Sequence, residues 1–134
     1  MSIKSDIRRA LTQSVIDLAL PVTVAHEGFP FDPSDLQEFV KVHMLPTGRV
    51  QKAKSGFGEF KGVYQLSVFV KSDTGTARSD ELVGIIMNTY VNNASFISGA
   101  QKVVVLDSRE TEGADDDGWY SVHISVDFFS DINR

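Results

Sequence analysis

Two stretches of the chain alternate apolar and polar residues over a length that is typical of a β-strand. In residues 60–71 and again in residues 120–128, every second side chain is apolar, and the side chains between them are mostly polar. Because successive side chains of a strand point to opposite faces, one face of each stretch is expected to be buried. The buried set is predicted to be Tyr64, Leu66, Val68 and Val70 in the first strand, and Tyr120, Val122, Ile124, Val126 and Phe128 in the second.

Two other segments follow the helical period. In residues 3–19, apolar residues recur every three or four positions, and Ser2 is a candidate N-cap. Pro21 ends this segment, because a proline disfavours the helical conformation in the residue before it. A second helix is predicted to begin at Thr76 or Ser79. Its buried face is predicted to consist of Leu82, Ile85, Ile86 and Tyr90. The charge in an Ile85→Asp variant is therefore expected to unfold the chain.

A hairpin with a long tip is predicted before the second helix. Residues 39–45 alternate like a strand, and Pro46 is expected to stop them. Residues 47–58 have no consistent period and are predicted to form a mobile loop before the long strand returns. Phe29 and Phe31 are expected to pin the connector that precedes this hairpin.

The order of predicted elements is α-β-β-β-α-β-β, in which residues 22–26 and 103–106 supply short strands. This order predicts the α+β class, with two helices packed on a mixed, mainly antiparallel sheet. The sequence contains no internal repeat or linker, and 134 residues are the usual size of one domain. We therefore expect a single domain over residues 1–134.

Composition and charge exclude several classes of function. The absence of cysteine excludes disulfides, thiol nucleophiles and thiolate metal sites. A formal net charge of −5 disfavours tight binding of nucleic acid, because such proteins carry a basic face. No apolar run approaches the roughly 20 residues of a membrane span, and no export signal is visible, so we expect a cytoplasmic setting and no membrane partner.

The charges are unevenly distributed along the chain. Residues 107–118 hold one base, Arg109, and residues 47–62 hold one acid, Glu59. The acids of the first segment are Asp107, Glu110, Glu112, Asp115, Asp116 and Asp117. The bases of the second segment are Arg49, Lys52, Lys54 and Lys61. Phe57 and Phe60 lie among these bases, an arrangement that suits a protein contact, a stacked nucleic acid or simple solvation of a loop.

Three motifs suggest chemistry, but their contexts do not support it. The glycines of residues 56–62 precede a strand, whereas a phosphate cradle precedes a helix. Residues 115–118 resemble the middle of a calcium loop, but Gly113 and Ile124 occupy the positions of its first and last ligands. The histidines are His26, His43 and His123, and no two of them have the spacing of a metal-binding pair. We therefore predict no catalytic residue, no metal site and no cofactor.

The layout of the chain resembles the lambda-type phage tail terminators, small proteins that close the head-proximal end of a long tail tube. The resemblance consists of element order and spacing over nearly the whole chain. The segments that carry it are the helix of residues 3–19, the strand of residues 22–26, the connector Gly28-Phe29-Pro30-Phe31-Asp32-Pro33, the strands of residues 39–46 and 63–71, the turn and helix of residues 75–90, and the last pair of strands. Related proteins often have a Pro-x-Gly turn where this chain has Ser72-Asp73-Thr74-Gly75.

The resemblance implies a structural, non-enzymatic protein of the virion tail, assembled in the host cytoplasm. It implies a six-subunit ring that sits on the tail tube protein, stops tube polymerisation and presents the tail to a head-completion or neck protein. DNA would pass through the lumen of such a ring. The interface with a subunit or the tube is expected to use Arg49, Lys52, Lys54, Phe57 and Phe60. The lumen, or an interface, is expected to use Glu110, Glu112, Asp115, Asp116 and Asp117.

Two alternatives remain open at the level of the sequence. A neck or head–tail connector subunit is poorly separated from a terminator by element order alone. A small soluble hydrolase or ligand-binding domain would instead use His43 or His123, and it would require a concave pocket with convergent titratable groups.

Overall fold

The computed structural model describes residues 3–51, 58–72, 75–111 and 113–132, with the backbone alone at residues 48–51 and 132. These residues form two helices and seven strands. In chain order they are α1 (Ile3–Leu18), β1 (Thr23–Ala25), β2 (Glu38–Gln51), β3 (Gly58–Lys71), α2 (Ala77–Thr89), β4 (Ser95–Ser98), β5 (Gln101–Glu110), β6 (Ala114–Asp116) and β7 (Trp119–Ile132). The predicted α+β class and element order are confirmed, and β4 and β6 are short additional strands.

The strands form one sheet in the order β1-β2-β3-β7-β5-β4, and β6 pairs with the beginning of β7 beside β5. The β1–β2 pair is parallel and the other pairs are antiparallel. β3 and β7 pair over their whole length, from Lys71 opposite Trp119 to Gly58 opposite Ile132. These two long strands form the centre of the sheet, as their alternating sequences predict.

Both helices contribute to one hydrophobic core on one face of the sheet. α1 packs on β4 and β5, and α2 packs on β3 and β7. Leu66 and Val68 of β3 and Ile124 and Val126 of β7 have no exposed surface, which confirms the predicted inward set at these positions. Each such side chain stabilises the fold by about 1.5–3 kcal/mol when it is fully buried.

The two helices differ in detail from the sequence prediction. α1 ends at Leu18, one residue earlier than expected, because Ala19 has a φ of 50° and its N–H donates to the carbonyl of Ile16 (3.1 Å). The proposed cap Ser2 lies outside the described residues. The buried face of α2 consists of Ser79, Leu82, Val83 and Ile86. Ile85 is only half-buried, so the prediction that it belongs to the core is wrong.

The hairpin of β2 and β3 is longer than the sequence predicts. We expected a loop over residues 47–58, but β2 extends to Gln51 and β3 begins at Gly58. The register shifts between Pro46 and Gly48, and the ladder then resumes. A bulge tolerates a proline that the regular ladder would exclude, so Pro46 interrupts the strand without ending it.

The acidic segment is also largely extended rather than a loop. β5 continues to Glu110 after a register shift between Val105 and Asp107, although the sequence predicted only residues 103–106 as strand. The two-residue turn between β6 and β7 is formed by Asp117 and Gly118, whose φ values are 51° and 82°. A type I′ turn requires positive φ at both positions, which explains the Asp-Gly sequence and confirms the predicted turn.

Candidate assembly surfaces

The outer edge of β2 is protected against pairing with another strand. β1 covers only residues 39–41 of β2, so the remainder is an edge strand. The carboxylate of Glu27 accepts a hydrogen bond from the N–H of Met44 (3.1 Å) and forms an ion pair with Arg8. Two residues further along, on the same side of the strand, Pro46 has no N–H to donate. Occupied donors and prolines discourage strand addition, so this edge favours contact through side chains.

A pocket of about 350 Å³ lies between α1 and this edge of the sheet. Its apolar lining includes Ile16, Phe29 and Val42. Ile16 and Phe29 are 54% and 74% exposed, respectively. Tyr64 also lines the pocket; its hydroxyl is buried without a hydrogen-bond partner among the described residues, and burial raises the pKa of this hydroxyl far above its ordinary value. The pocket is therefore suited to an apolar group from another molecule.

The opposite edge of the sheet also exposes large apolar side chains. Ile97 on β4 is 69% exposed, while Val91 before β4 and Leu106 on β5 are 50% and 42% exposed. Asp107 and Glu110 are exposed on β5 beside them. This surface is called the β4–β5 edge below.

The large exposed apolar side chains of the described residues divide between these two edges. Three belong to the β4–β5 edge, and the other three belong to the surface called the β1–β2 edge, where two of them line the pocket and the third lies on β2. The members of the β1–β2 edge are Ile16, Phe29 and Leu45. Exposed apolar groups that cluster in this way are typical of interaction surfaces, whereas single scattered ones need no explanation.

Among the predicted contact residues, Arg49 and Phe60 lie on the described strands of the β2–β3 hairpin. Arg49 lies on β2 opposite Phe60, while Lys52, Lys54 and Phe57 lie outside the described residues. Phe60 is only 8% exposed and stacks on Phe128 with 6.3 Å between ring centroids. We therefore remove Phe60 from the predicted contact surface, because its ring holds the hairpin to the core of its own subunit.

The predicted acidic residues gather at the other end of the sheet. Glu110 is at the end of β5, Asp115 and Asp116 are on β6, and Asp117 is in the turn before β7; all four are exposed. Glu112 lies outside the described residues. The hairpin of β6 and β7 replaces the calcium-type loop that residues 115–118 superficially resemble.

The histidines considered for an enzyme are separated from one another. His123 Nδ1 lies 2.7 Å from Oγ of Ser67, and Ser67 is only 4% exposed. This pair does not line the pocket between α1 and the β1–β2 edge, whereas His43 does. The Ser67–His123 pair and the pocket that His43 lines are therefore separate features of the described residues. The described residues also hold no group of three His, Asp or Glu side chains arranged to bind a metal ion.

Neither helix of the described chain combines the length and apolar character needed to cross a membrane. Solved protein structures share the fold of this chain, and one of them has a TM-score of 0.73 over 98% of this chain and 95% of that chain at 16% sequence identity. No curated protein matches the chain in sequence.

A family model described as phage tail terminator protein matches residues 6–128. The match begins in the first turns of α1 and ends within β7, so it includes both helices and the centre of the sheet. It confirms the resemblance that element order and spacing suggested. The chain belongs to the phage tail terminator family, a structural and non-enzymatic family of phage tail proteins.

Proposed function

We propose that the chain forms a six-subunit ring on the head-proximal end of the tail tube, where it stops polymerisation and prepares the tail for head joining. Family membership supports a structural role in the tail. The observation that supports the finer assignment is that four exposed carboxylates gather at one end of the sheet, while Arg49 lies on β2 at the other end, next in sequence to the segment that carries Lys52 and Lys54.

This separation follows the direction of the central strands. The acidic turn at Asp117 immediately precedes β7, and the end of β7 pairs with Gly58, which follows Lys52 and Lys54 in the sequence. The 14 residues of β7 span about 45 Å. A subunit of this kind presents unlike surfaces at its two ends, so the two ends can take different roles in a ring.

We assign the basic tip, with Arg49, Lys52, Lys54 and Phe57, to the contact with the tube or with a neighbouring subunit. Opposite potentials favour the correct orientation and accelerate assembly, and salt screens them. We assign the acidic end, with Glu110, Glu112 and Asp115 to Asp117, to the lumen. Carboxylates there repel DNA phosphates, so the wall does not retain the DNA that passes through it.

The test of this assignment is a charge reversal at the tip. Purified tail tubes are mixed with wild-type protein, with a Lys52→Glu/Lys54→Glu variant or with a Lys4→Glu control, and capped ends are counted by negative-stain electron microscopy. Lys4 is exposed on α1 and lies outside the β2–β3 hairpin. Wild type and control should cap one end of each tube and stop its growth, and the double variant should cap fewer. Equal capping by all three proteins would show that Lys52 and Lys54 are not needed to cap the tube.

A further inference from the structure

We propose that the two edges of the sheet form the contact between neighbouring copies of this chain, with the β1–β2 edge of one subunit packed against the β4–β5 edge of the next. This inference rests on the proposed ring and specifies which surfaces close it. A ring built head to tail requires two different, complementary patches on each subunit.

The first argument is the distribution of apolar surface. Each edge carries three of the large apolar side chains that the described residues expose, and the two edges lie on opposite sides of the sheet. The pocket on the β1–β2 edge gives one surface a concave element. Apolar groups with 42% to 74% exposure gain free energy when a partner covers them.

The second argument is the position of these apolar side chains along the strand direction. Across the sheet, Leu45 opposes Val63, Val63 opposes Asp127, and Asp127 opposes Asp107. Leu106 precedes Asp107, so Leu45 and Leu106 lie at nearly the same position along the strand direction. Leu45 of one copy can therefore meet Leu106 of the next without a large shift along the strands.

The third argument is charge. The β1–β2 edge has an exposed Lys41, while Arg8 and Glu27 neutralise each other there. The β4–β5 edge has exposed Asp107 and Glu110 and the exposed base Lys102, while Arg109 of β5 is neutralised by its ion pair with Asp127. One edge is thus positive and the other negative, which favours the unlike pairing over contact between two identical edges.

The backbone of β2 determines whether the two edges can join into a continuous sheet. The N–H of Met44 already donates to Glu27, and Pro46 has none to donate. The contact between copies over this part of β2 is therefore a packing of side chains and not a continuous sheet.

The test uses two variants, and in each of them a new charge blocks one of the two edges. Phe29→Glu places a charge on the β1–β2 edge and Leu106→Glu places one on the β4–β5 edge. Ser72→Glu is the control, because Ser72 is exposed directly after β3, a central strand of the sheet. Oligomers are measured by native mass spectrometry at the concentration at which the wild type assembles. Circular dichroism verifies that each variant is folded, and Leu45→Glu replaces Phe29→Glu if the latter is not.

The expected result distinguishes a contact between the two different edges from a contact between two identical edges. Each edge variant alone should remain monomeric, the control should assemble like the wild type, and an equimolar mixture of the two edge variants should give a one-to-one dimer that cannot grow. Assembly of either edge variant alone, or no dimer in the mixture, would overturn this inference while the wild-type ring stands. Failure of the wild type to form a ring, alone or on tail tubes, would instead refute the proposed function.

Discussion

Replacement of Gly62 by alanine tests the packing at the centre of the sheet. Gly62 lies on β3 opposite Phe128 of β7. A Cβ atom at this position would lie 2.7 Å from Cζ of Phe128 and 3.0 Å from the carbonyl oxygen of Leu45. Carbon atoms at van der Waals contact are about 3.5–4.0 Å apart, so either the ring or the strand must move.

The neighbours of Gly62 have little freedom to move. Phe128 is 1% exposed and stacks on Phe60, and the carbonyl of Leu45 belongs to the backbone of β2. Overpacking of a well-packed core typically costs about 1–3 kcal/mol. For a domain of this size, such a cost lowers the melting temperature by roughly 4–12 °C.

Gly84 provides the matched control, because replacement of glycine by alanine is expected to increase the free energy of unfolding there. Gly84 lies within α2, and no atom lies within 4 Å of the Cβ that alanine would add. Alanine is more favourable than glycine in a helix interior by about 0.5–1 kcal/mol. Gly84→Ala should therefore raise the melting temperature by roughly 2–4 °C.

The assay is urea unfolding and thermal unfolding of both variants beside the wild type, followed by circular dichroism. We expect a lower free energy of unfolding for Gly62→Ala and a higher one for Gly84→Ala. If Gly62→Ala is as stable as the wild type, the close approach of β3 to the Phe128 ring is not as described, and the register of β3 on β7 must be revised.

Other predictions concern α2 and its contact with α1. Ile86 has no exposed surface and Ile85 is half-buried, so Ile86→Ala should cost about 2–5 kcal/mol and Ile85→Ala clearly less; equal losses in urea unfolding would contradict the observed face of α2. Tyr90→Phe removes the 2.7 Å hydrogen bond with Ser14 and should cost about 1 kcal/mol at neutral pH. Burial raises the pKa of Tyr90 to about 12, so the folded state keeps a proton that the unfolded state releases near pH 10. The free energy of unfolding should therefore fall between about pH 10 and 12, and less steeply in Tyr90→Phe; an unchanged slope would assign the loss to other groups.

Regular elements were predictable because their periods leave few alternatives. The alternation of residues 120–128 identifies a strand with one buried face, and a shift by one residue would expose Ile124 and Val126. In α2, by contrast, Leu82 and Ile86 fit the predicted face, but adjacent Ile85 and Ile86 are both apolar. Only packing against the sheet determines which of the two points inward.

The misassigned segments are those in which local signals conflict with tertiary pairing. Pro46 and Gly48 are typical of a strand end, yet a bulge lets β2 continue to Gln51. The end of β5 was not predicted, because Asp107 and Glu110 interrupt the apolar run. Strand residues that are exposed to solvent can be polar, so their sequence shows no alternation of apolar residues.

The two apolar edges required the structure, because their members come from distant parts of the chain. The connector with two aromatic residues was a partial signal. Phe31 packs on Phe39 at 4.9 Å between ring centroids, as expected of a pin. Phe29 is instead 74% exposed beside the pocket. The aromatic character of the connector was visible in the sequence, but which ring remains available for a contact was not.

The central claim is that copies of this chain close into a six-subunit ring on the tail tube. Native mass spectrometry over a range of concentrations, combined with negative-stain imaging of the protein alone and with purified tubes, measures this directly. We predict a discrete six-subunit species and a ring with a central hole at one end of each tube. A monomer at every concentration that leaves the tubes bare would contradict the account.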